Sequence, residues 1–246
     1  ANPRSLLRTV AAGRSCRQTV FRDIEAPVPE LLALPDTEYL RGDVFQLAVH
    51  FDDAQASAVT GLIFDDLDIE PAGAVEPLSA VAESGLDSAI LLRFTVEGRA
   101  NFSVPAGVAR DDSNNTNTAS PRSISLVYDA TPPTVTAVGV AGDDVKRVTF
   151  SISDEVGVPV DALDSAALEL SPAVGGADAA VGPPDCTPQS FTVVRCTVVV
   201  TGVDPDGPEV RLVLAANGAH DLAGNSNAEP VTLATFNRVF SCGAGQ

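Results

Sequence analysis

Two loops, one late in each half of the chain, have the residue types that bind a hard metal ion. The first reads DDSNN (111–115) and begins with Asp111 and Asp112, and the second reads DLAGN (221–225) and begins with Asp221. Both combine carboxylate oxygens, amide oxygens and turn carbonyls within a few positions, as calcium requires. Neither has the ligand spacing of an EF-hand loop. Aspartate and asparagine also accept hydrogen bonds from nearby backbone N–H groups in turns, so a purely structural role is the alternative.

Four cysteines form the next set of reactive side chains. Nine residues lie between Cys186 and Cys196 and include part of a predicted strand, so we expect a disulfide between neighbouring strands, formed in an oxidising compartment. Cys16 and Cys242 lie near opposite ends of the chain, and three alternatives are open for them. They join successive copies head to tail, they pair within one molecule because the amino-terminal segment folds back, or both stay free.

The search for catalytic groups is negative, so the sequence predicts a protein that is not an enzyme. No Gly-x-Ser-x-Gly elbow is present, and acidic pairs such as Asp52-Asp53 are more typical of solvated strand ends than of a glycosidase dyad. Aromatic residues make up only 5% of the chain, too few for a platform on which sugars stack.

Two Asn-x-Ser/Thr sequons begin at Asn101 and Asn114 and are candidate glycan acceptors. Asn101 falls in a predicted strand and Asn114 in a predicted loop, so Asn114 is the more accessible of the two.

The distribution of charge restricts the partners. A formal net charge of −18 excludes nucleic acid, because binding phosphates needs an excess of lysine and arginine. No apolar run reaches the roughly 18 residues that a membrane helix needs, so no membrane insertion is expected. Residues 1–22 hold five arginines and no acidic residue, which makes this segment +5 and leaves −23 on residues 23–246. A basic arm on an acidic body favours docking onto another copy, and a flexible terminus is the alternative.

The rest of the chain alternates apolar and polar residues with a period of two, which predicts strands. We expect them in the first half at 28–34, 44–51, 67–70, 74–82, 88–96, 99–104 and 123–128. In the second half we expect them at 134–140, 145–153, 166–170, 190–201, 209–215 and 230–240, with a loop at 174–184 and a helical turn as the alternative near 162–170. Seven short strands in about 100 residues predict a sandwich in the first half, and the second half repeats the same order of strands.

A proline-rich junction separates the halves. DATPPTV (129–135) has a near copy in DIEAPVP (23–29), and adjacent prolines predict a short, stiff, extended connector. The sequence thus predicts a basic arm (1–23), one domain at 24–130 and a second domain at 131–242.

Several motifs occur in both halves and carry a resemblance to a known family. VHFDD (49–53) corresponds to VTFSISDE (148–155), PAGVARDDSNN (105–115) corresponds to NGAHDLAGN (217–225), and YDATPPTV (128–135) closes the first half. These motifs resemble the bacterial Ig-like domains strung together in large surface adhesins, biofilm proteins and S-layer-associated proteins. The resemblance covers about residues 24–240 and implies two tandem Ig-like Greek-key β-sandwiches in an extended rod. The sequence departs from the family's pattern at DDSNN, where Asp-x-x-Gly-Asn is usual, and in its cysteine pair.

The resemblance also implies a ligand and a role. In such rods, aspartates near the interdomain linker hold calcium, which carries this role onto Asp129 with Asp111 or Asp112, and more weakly onto Asp154 and Asp221. The implied function is a structural or adhesive module of an extracellular, cell-surface assembly whose partners are copies of itself or neighbouring surface proteins. A filament or surface-layer subunit is the first hypothesis, a passive calcium-stiffened stalk segment is the second, and an accessory domain of a secreted enzyme is the third.

Overall fold

The computed structural model describes residues 5–11, 14–20, 22–143, 145–171, 179–204 and 207–236. The chain divides into two compact units, Ala1–Tyr128 and Asp129–Gln246. The division lies two residues before the predicted domain boundary, so Asp129 belongs to the second unit.

The strands described in unit 1 are β1 (Ser5–Ala11), β2 (Arg14–Val20), β3 (Val28–Leu34), β4 (Tyr39–Leu40), β5 (Val44–Asp52), β6 (Val59–Thr60), β7 (Asp68–Glu70), β8 (Val75–Pro77), β9 (Ala82–Ser84), β10 (Asp87–Phe94), β11 (Gly98–Ser103), β12 (Arg110–Asp111) and β13 (Ile124–Tyr128). One sheet has the order β3-β5-β10-β8, with β9 also on β10, and the other has the order β4-β13-β11-β7. The pairing of β4 with β13 is parallel. Pairs within these two sheets are otherwise antiparallel. This is the strand order of an immunoglobulin-type sandwich.

The strands described in unit 2 are β14 (Thr134–Ala141), β15 (Lys146–Ser153), β16 (Leu168–Ser171), β17 (Ala180–Val181), β18 (Asp185–Ser190), β19 (Val193–Thr201), β20 (Val210–Leu214) and β21 (Val231–Phe236). The first sheet has the order β14-β15-β19-β17, with β18 also on β19, and the second has the order β16-β20-β21. Unit 2 therefore repeats the sandwich plan of unit 1. The all-β sandwich prediction is confirmed.

The period-two pattern explains why these segments form strands. Along β5, Phe45, Leu47, Val49 and Phe51 are buried, while the residues between them are exposed or half-buried. In unit 2, Phe150 and its neighbours on β15 and β19 have the same role. Each fully buried side chain of this size contributes about 1.5–3 kcal/mol relative to an exposed one. This alternation sets which residues face the core and leaves the loops at the strand ends free to carry polar groups.

Three strand predictions need correction. A single strand at 74–82 is wrong, because β8 ends at Pro77, which has no N–H for the ladder, and β9 starts at Ala82. A single strand at 190–201 is wrong, because β18 and β19 form a hairpin around Phe191 and Thr192. The predicted loop at 174–184 contains the short strand β17, while its residues 174–178 lie outside the described residues. The predicted strand at 230–240 is observed as Val231–Phe236, and its remaining residues also lie outside.

The described residues form two short 3₁₀ turns, at Phe64–Asp66 and Ser165–Ala167. The second matches the helical turn that was the alternative near residues 162–170. The amino-terminal hairpin, β1 with β2, is paired in register from Ser5↔Val20 to Ala11↔Arg14. Among the described strands, β1 and β2 pair only with each other.

Candidate metal centres

Three aspartates from separate segments of unit 1 come together at one end of its sandwich. Asp23 lies five positions before the first residue of β3, Asp53 directly follows β5, and Asp111 ends β12. All three residues are buried. Each contributes a carboxylate oxygen, and these oxygens all lie within 4.8 Å of one another. We call this group the unit 1 triad.

Each carboxylate of the unit 1 triad is held by its own turn through Oδ1. Backbone N–H groups just after each aspartate donate these bonds: Glu25 to Asp23 at 2.9 Å, Gln55 and Ala56 to Asp53 at 2.9 and 3.1 Å, and Asn115 to Asp111 at 2.7 Å. Such side-chain turns fix the orientation of a carboxylate before any ligand is bound. The second oxygen is therefore held in place by the backbone.

The second oxygens are what distinguish the triad from a set of ordinary turns. Asp23 Oδ2 and Asp53 Oδ2 are buried and have no hydrogen-bond partner. Asp111 Oδ2 accepts a bond from the side-chain amide of Asn115 at 2.7 Å. A buried, ionised oxygen without a partner is costly, so buried charges are normally paired or coordinate a metal.

Unit 2 has an equivalent group, Asp129, Asp154 and Asp221, whose ligand atoms also lie within 4.8 Å of one another. Asp129 lies five positions before the first residue of β14, Asp154 directly follows β15, and Asp221 lies in the loop between β20 and β21. Asp129 and Asp154 have the same spacing to their strands as Asp23 and Asp53 have in unit 1. We call this group the unit 2 triad.

The unit 2 triad is oriented in the same way. Backbone N–H groups donate to the Oδ1 atoms: Thr131 to Asp129 at 3.0 Å, Val156 and Gly157 to Asp154 at 2.7 and 3.3 Å, and Asn225 to Asp221 at 2.8 Å. Asp221 is only 1% exposed, and its Oδ2 has no hydrogen-bond partner. The side-chain amide of Asn225 donates to the backbone oxygen of Asp129 at 2.9 Å, which ties the connector to the late loop.

The surroundings of Asp154 in the unit 2 triad disfavour its ionised form. Burial raises the pKa of Asp154, and the nearby charges of Asp221 and Glu155 raise it further. The backbone N–H groups of Val156 and Gly157 act in the opposite direction and do not reverse the shift. A bound cation would remove this repulsion.

The late loops that carry Asp111 and Asp221 are braced by a second pair of equivalent residues. Asn117 Oδ1 accepts the N–H of Ala109 at 2.8 Å, and Asn227 Oδ1 accepts the N–H of Ala219 at 2.8 Å. Both asparagines are buried. The unit 1 and unit 2 loops are therefore held on their sandwiches by the same interaction.

The structure also explains the departure at DDSNN. Asn114 has φ 67° where the second loop has Gly224 with φ 82°. Asparagine tolerates this left-handed conformation better than other residues with a side chain. The first loop therefore keeps the turn without the glycine.

The predicted metal ligands divide between the triads. Asp111 belongs to unit 1, while Asp129, Asp154 and Asp221 belong to unit 2. Asp112 is exposed, and its Oδ2 accepts the hydroxyl and the N–H of Ser57 at 2.6 and 3.2 Å, which lowers the pKa of Asp112. The predicted combination of Asp129 with Asp111 or Asp112 joins residues of different units and stays a prediction.

Sequence reasoning did not select Asp23 or Asp53, although both had a signal. Asp23 begins DIEAPVP, the near copy of the segment that begins with Asp129. Asp53 ends VHFDD, and Asp154 lies near the end of VTFSISDE, the corresponding segment of the second half. A systematic transfer of candidates between the repeats would have found both residues.

The geometry fits calcium. Calcium binds six to eight oxygens at 2.3–2.6 Å, so two ligands on opposite sides of the ion lie roughly 4.6–5.2 Å apart. Three oxygens within 4.8 Å of one another can therefore share one ion, with carbonyls and water completing the shell. The all-carboxylate set suits a hard cation and not zinc, which favours cysteine and histidine. Calcium bound there would neutralise the carboxylates and join three chain segments.

The other predicted sites are placed as follows. Cys186 and Cys196 form a disulfide and lie directly opposite each other on β18 and β19, which confirms the prediction of a bond between neighbouring strands. Cys16 lies in β2, and Cys242 lies outside the described residues. Asn101 on β11 and Asn114 are both exposed, as a glycan acceptor must be, and glycan attachment stays a prediction.

None of the helices in the described part of the chain is long and apolar enough to cross a membrane. No family model matches the sequence, and no curated protein matches it. The fold is similar to a solved structure of FdeC, described as a broadly conserved adhesin of Escherichia coli, with a TM-score of 0.51 and 14% sequence identity. The match covers 91% of this chain and 69% of that one. The chain therefore shares its β-sandwich fold with a structurally characterised bacterial adhesin.

Proposed function

We propose that the chain is a non-catalytic structural or adhesive module of an extracellular surface assembly, in which each sandwich binds one calcium ion through its triad. The observation that carries this proposal is the duplicated triad, in which turns orient the carboxylates and buried Oδ2 atoms such as that of Asp221 have no partner. The likeness of the fold to an adhesin supports the adhesive role.

Calcium at the triads would act on the segments that lead into each sandwich. Asp23 and Asp129 each lie five positions before the first residue of a sandwich strand, whereas the other ligands lie at strand ends or in loops of the same unit. An ion shared by all three would fix the incoming segment to its sandwich. A surface module needs this, because it must transmit position and force along the chain without unfolding.

An extracellular environment agrees with the calcium sites, the disulfide and the acidic composition of the chain. Extracellular modules bind calcium with dissociation constants of about 10⁻⁴–10⁻³ M, so the triads need only modest affinity to be occupied outside the cell. The Cys186–Cys196 disulfide suits an oxidising, extracellular compartment. A strongly acidic surface keeps such a protein soluble.

Assembly into a filament or layer is the finer part of the proposal. The +5 arm and the −23 body of the chain are complementary, and the arm contains the β1–β2 hairpin. An isolated two-stranded hairpin is only marginally stable in water, so it gains by docking onto a partner. The second candidate is a stalk segment of a longer adhesin. Calcium would make this segment rigid, and its ends would not bind other copies. The triads favour this candidate equally.

Calorimetric titration of the full chain with calcium tests the ion sites. We expect one ion per triad, with loss of one site in Asp53→Asn, loss of the other in Asp221→Asn, and no loss in the matched control Asp161→Asn. Asp161 is exposed and lies outside both triads. Asparagine keeps an Oδ1 that can accept the turn hydrogen bond, so the variants remove a charge without removing the turn. Absence of calcium binding to the parent chain at millimolar concentration would refute the proposal.

Light scattering tests the assembly. A self-associating parent chain whose mass falls when salt screens the arm favours the filament or layer. A monomer at all salt and calcium concentrations favours the stalk.

A further inference from the structure

An open groove runs between the two sheets of unit 1, along β3 on one side and β13 on the other. Two adjoining clefts form it, of about 410 and 590 Å³, and Leu31 and Ile124 line both. These two side chains are half-buried and pack against the sandwich core. The groove therefore has an apolar floor within the edge of the sandwich.

Both walls of the groove have strand edges that can accept another strand. β3 pairs with β5 on one side, and no described strand pairs with its other edge. β13 pairs with β11 along its length but with β4 only at Val127 and Tyr128, so the outer edge of residues 124–126 has no strand partner in the described chain. Such edges take up an extended segment by adding it to the sheet.

The charges that line the groove are mainly negative. Glu30, Asp36 and Glu38 lie along it and are exposed, and Arg122 lies beside them. Glu38 pairs with Arg99 at 3.0 Å, which leaves Glu30 and Asp36 as the carboxylates available to a basic ligand. An extended, arginine-bearing strand fits this lining.

We infer that the groove is the docking site for β2 of the amino-terminal hairpin of a second copy of this chain, an inference that rests on the assembly part of the proposed function. β2 (Arg14–Val20) is seven residues long, as β3 is, and its sequence RSCRQTV has two arginines and no acidic residue. β1 has only one arginine. β2 is therefore the better match to the groove in charge.

In the described part of the chain, the hairpin of the same molecule is not added as a strand to either wall of the groove. β1 and β2 pair with each other and with neither β3 nor β13 in the part of the chain that the structure describes. A groove of one copy that receives the hairpin of the next gives a head-to-tail contact, which repeats from copy to copy.

Disulfide trapping tests the contact, because Cys16 lies in β2 and needs only one new thiol in the groove. The test variant is Ser123→Cys with Cys242→Ser, and Ser123 is an exposed groove residue. The matched control is Ser113→Cys with Cys242→Ser, where Ser113 is exposed on the late loop and does not line the groove. Mild oxidation of an equal mixture of ¹⁴N- and ¹⁵N-labelled protein is followed by peptide mass spectrometry.

We expect a link between Cys16 and the thiol introduced at position 123, with mixed isotope labels, and we expect the control to lack the corresponding link at position 113. A link at position 123 with only matched labels would mean that the arm folds back in its own molecule and would overturn the inference. Equal linking in test and control, or no linking, would overturn it as well.

A charge exchange provides an independent measurement. Arg14→Glu with Arg17→Glu, and separately Glu30→Arg with Asp36→Arg, should each weaken self-association by roughly 2- to 5-fold per ion pair removed. Mixing the two variants should restore a heteromeric complex. One outcome would refute the groove but leave arm-driven assembly standing. In that outcome the parent assembles and the arm variant does not, the groove variant assembles as well as the parent, and no disulfide forms at position 123. If the parent never self-associates, both are refuted, whereas calcium binding is decided separately by titration.

Discussion

Replacing Asp221 by asparagine should change the stability of unit 2 in opposite directions with and without calcium. Asp221 is 1% exposed, its Oδ1 accepts the N–H of Asn225 at 2.8 Å, and its Oδ2 is buried without a hydrogen-bond partner. One of its carboxylate oxygens lies within 4.8 Å of those of Asp129 and Asp154. The variant keeps the shape and an acceptor for the turn. It removes one charge from a group of three.

The magnitude follows from the geometry. Two charges 4.8 Å apart repel by about 3.5 kcal/mol at an effective dielectric constant of 20. Solvent screening reduces this, because Asp154 is only half-buried, so we expect Asp221→Asn to stabilise the calcium-free unit by roughly 1–2 kcal/mol. Calcium at 100 times its dissociation constant stabilises the parent by about 2.7 kcal/mol, a gain that the variant largely loses. The variant should therefore be the more stable protein in chelator and the less stable one in calcium.

Scanning calorimetry in chelator and in excess calcium measures the change in stability of unit 2 caused by Asp221→Asn under both conditions. For a unit of this size, 1 kcal/mol shifts the unfolding midpoint by about 3–5 °C. Asp161→Asn, an exposed substitution outside the triads, controls for a general change in charge. If Asp221→Asn destabilises unit 2 equally in both conditions, the carboxylate serves only its turn and the metal-site reasoning fails.

Three further predictions concern unit 2. First, the raised pKa of Asp154 means that the folded, calcium-free unit binds a proton more readily than the unfolded chain does. The stability of unit 2 should therefore rise as the pH falls through the folded pKa of Asp154 toward the ordinary aspartate pKa of 3.8. Unfolding of the parent and of Asp154→Asn as a function of pH measures the effect, and the variant should lack this rise. Second, replacing Cys186 and Cys196 together by alanine should cost about 2–3 kcal/mol in denaturant unfolding, as expected for a short closed loop. Third, Phe150→Ala should cost about 3–5 kcal/mol because Phe150 is fully buried, whereas Phe191→Ala should cost well under half as much because Phe191 is 61% exposed.

The sequence was most informative where one face of a strand is buried. β3 begins and ends where its alternation predicted, and β5 and β15 lie within one residue of their predicted bounds. It was least informative at the edges of sheets. β18 reads DCTPQS and has no fully buried residue, so no hydrophobic pattern marks it, and its pairing with β19 defines it as a strand.

The site was only partly predictable for a related reason. Loop composition pointed to Asp111 and Asp221, because the carboxylates and amides of each loop are close in sequence. The partners come from other segments, and Asp53 is brought to Asp111 only by the folding of the sandwich. Spacing along the chain cannot show such a convergence. Comparison of the two internal repeats can, since each triad member in one half has its counterpart in the other.

The two interpretations of the triads make different demands on the second carboxylate oxygen. A turn needs one acceptor, and Oδ1 provides it in all six aspartates. Asparagine would serve a turn equally well and would bring no charge. Turns alone therefore give no reason to bury the unpartnered Oδ2 atoms of Asp23 and Asp53 beside a third carboxylate, or that of Asp221 beside two others. A shared cation gives such a reason in both units at once, because its attraction to each carboxylate outweighs the repulsion among them.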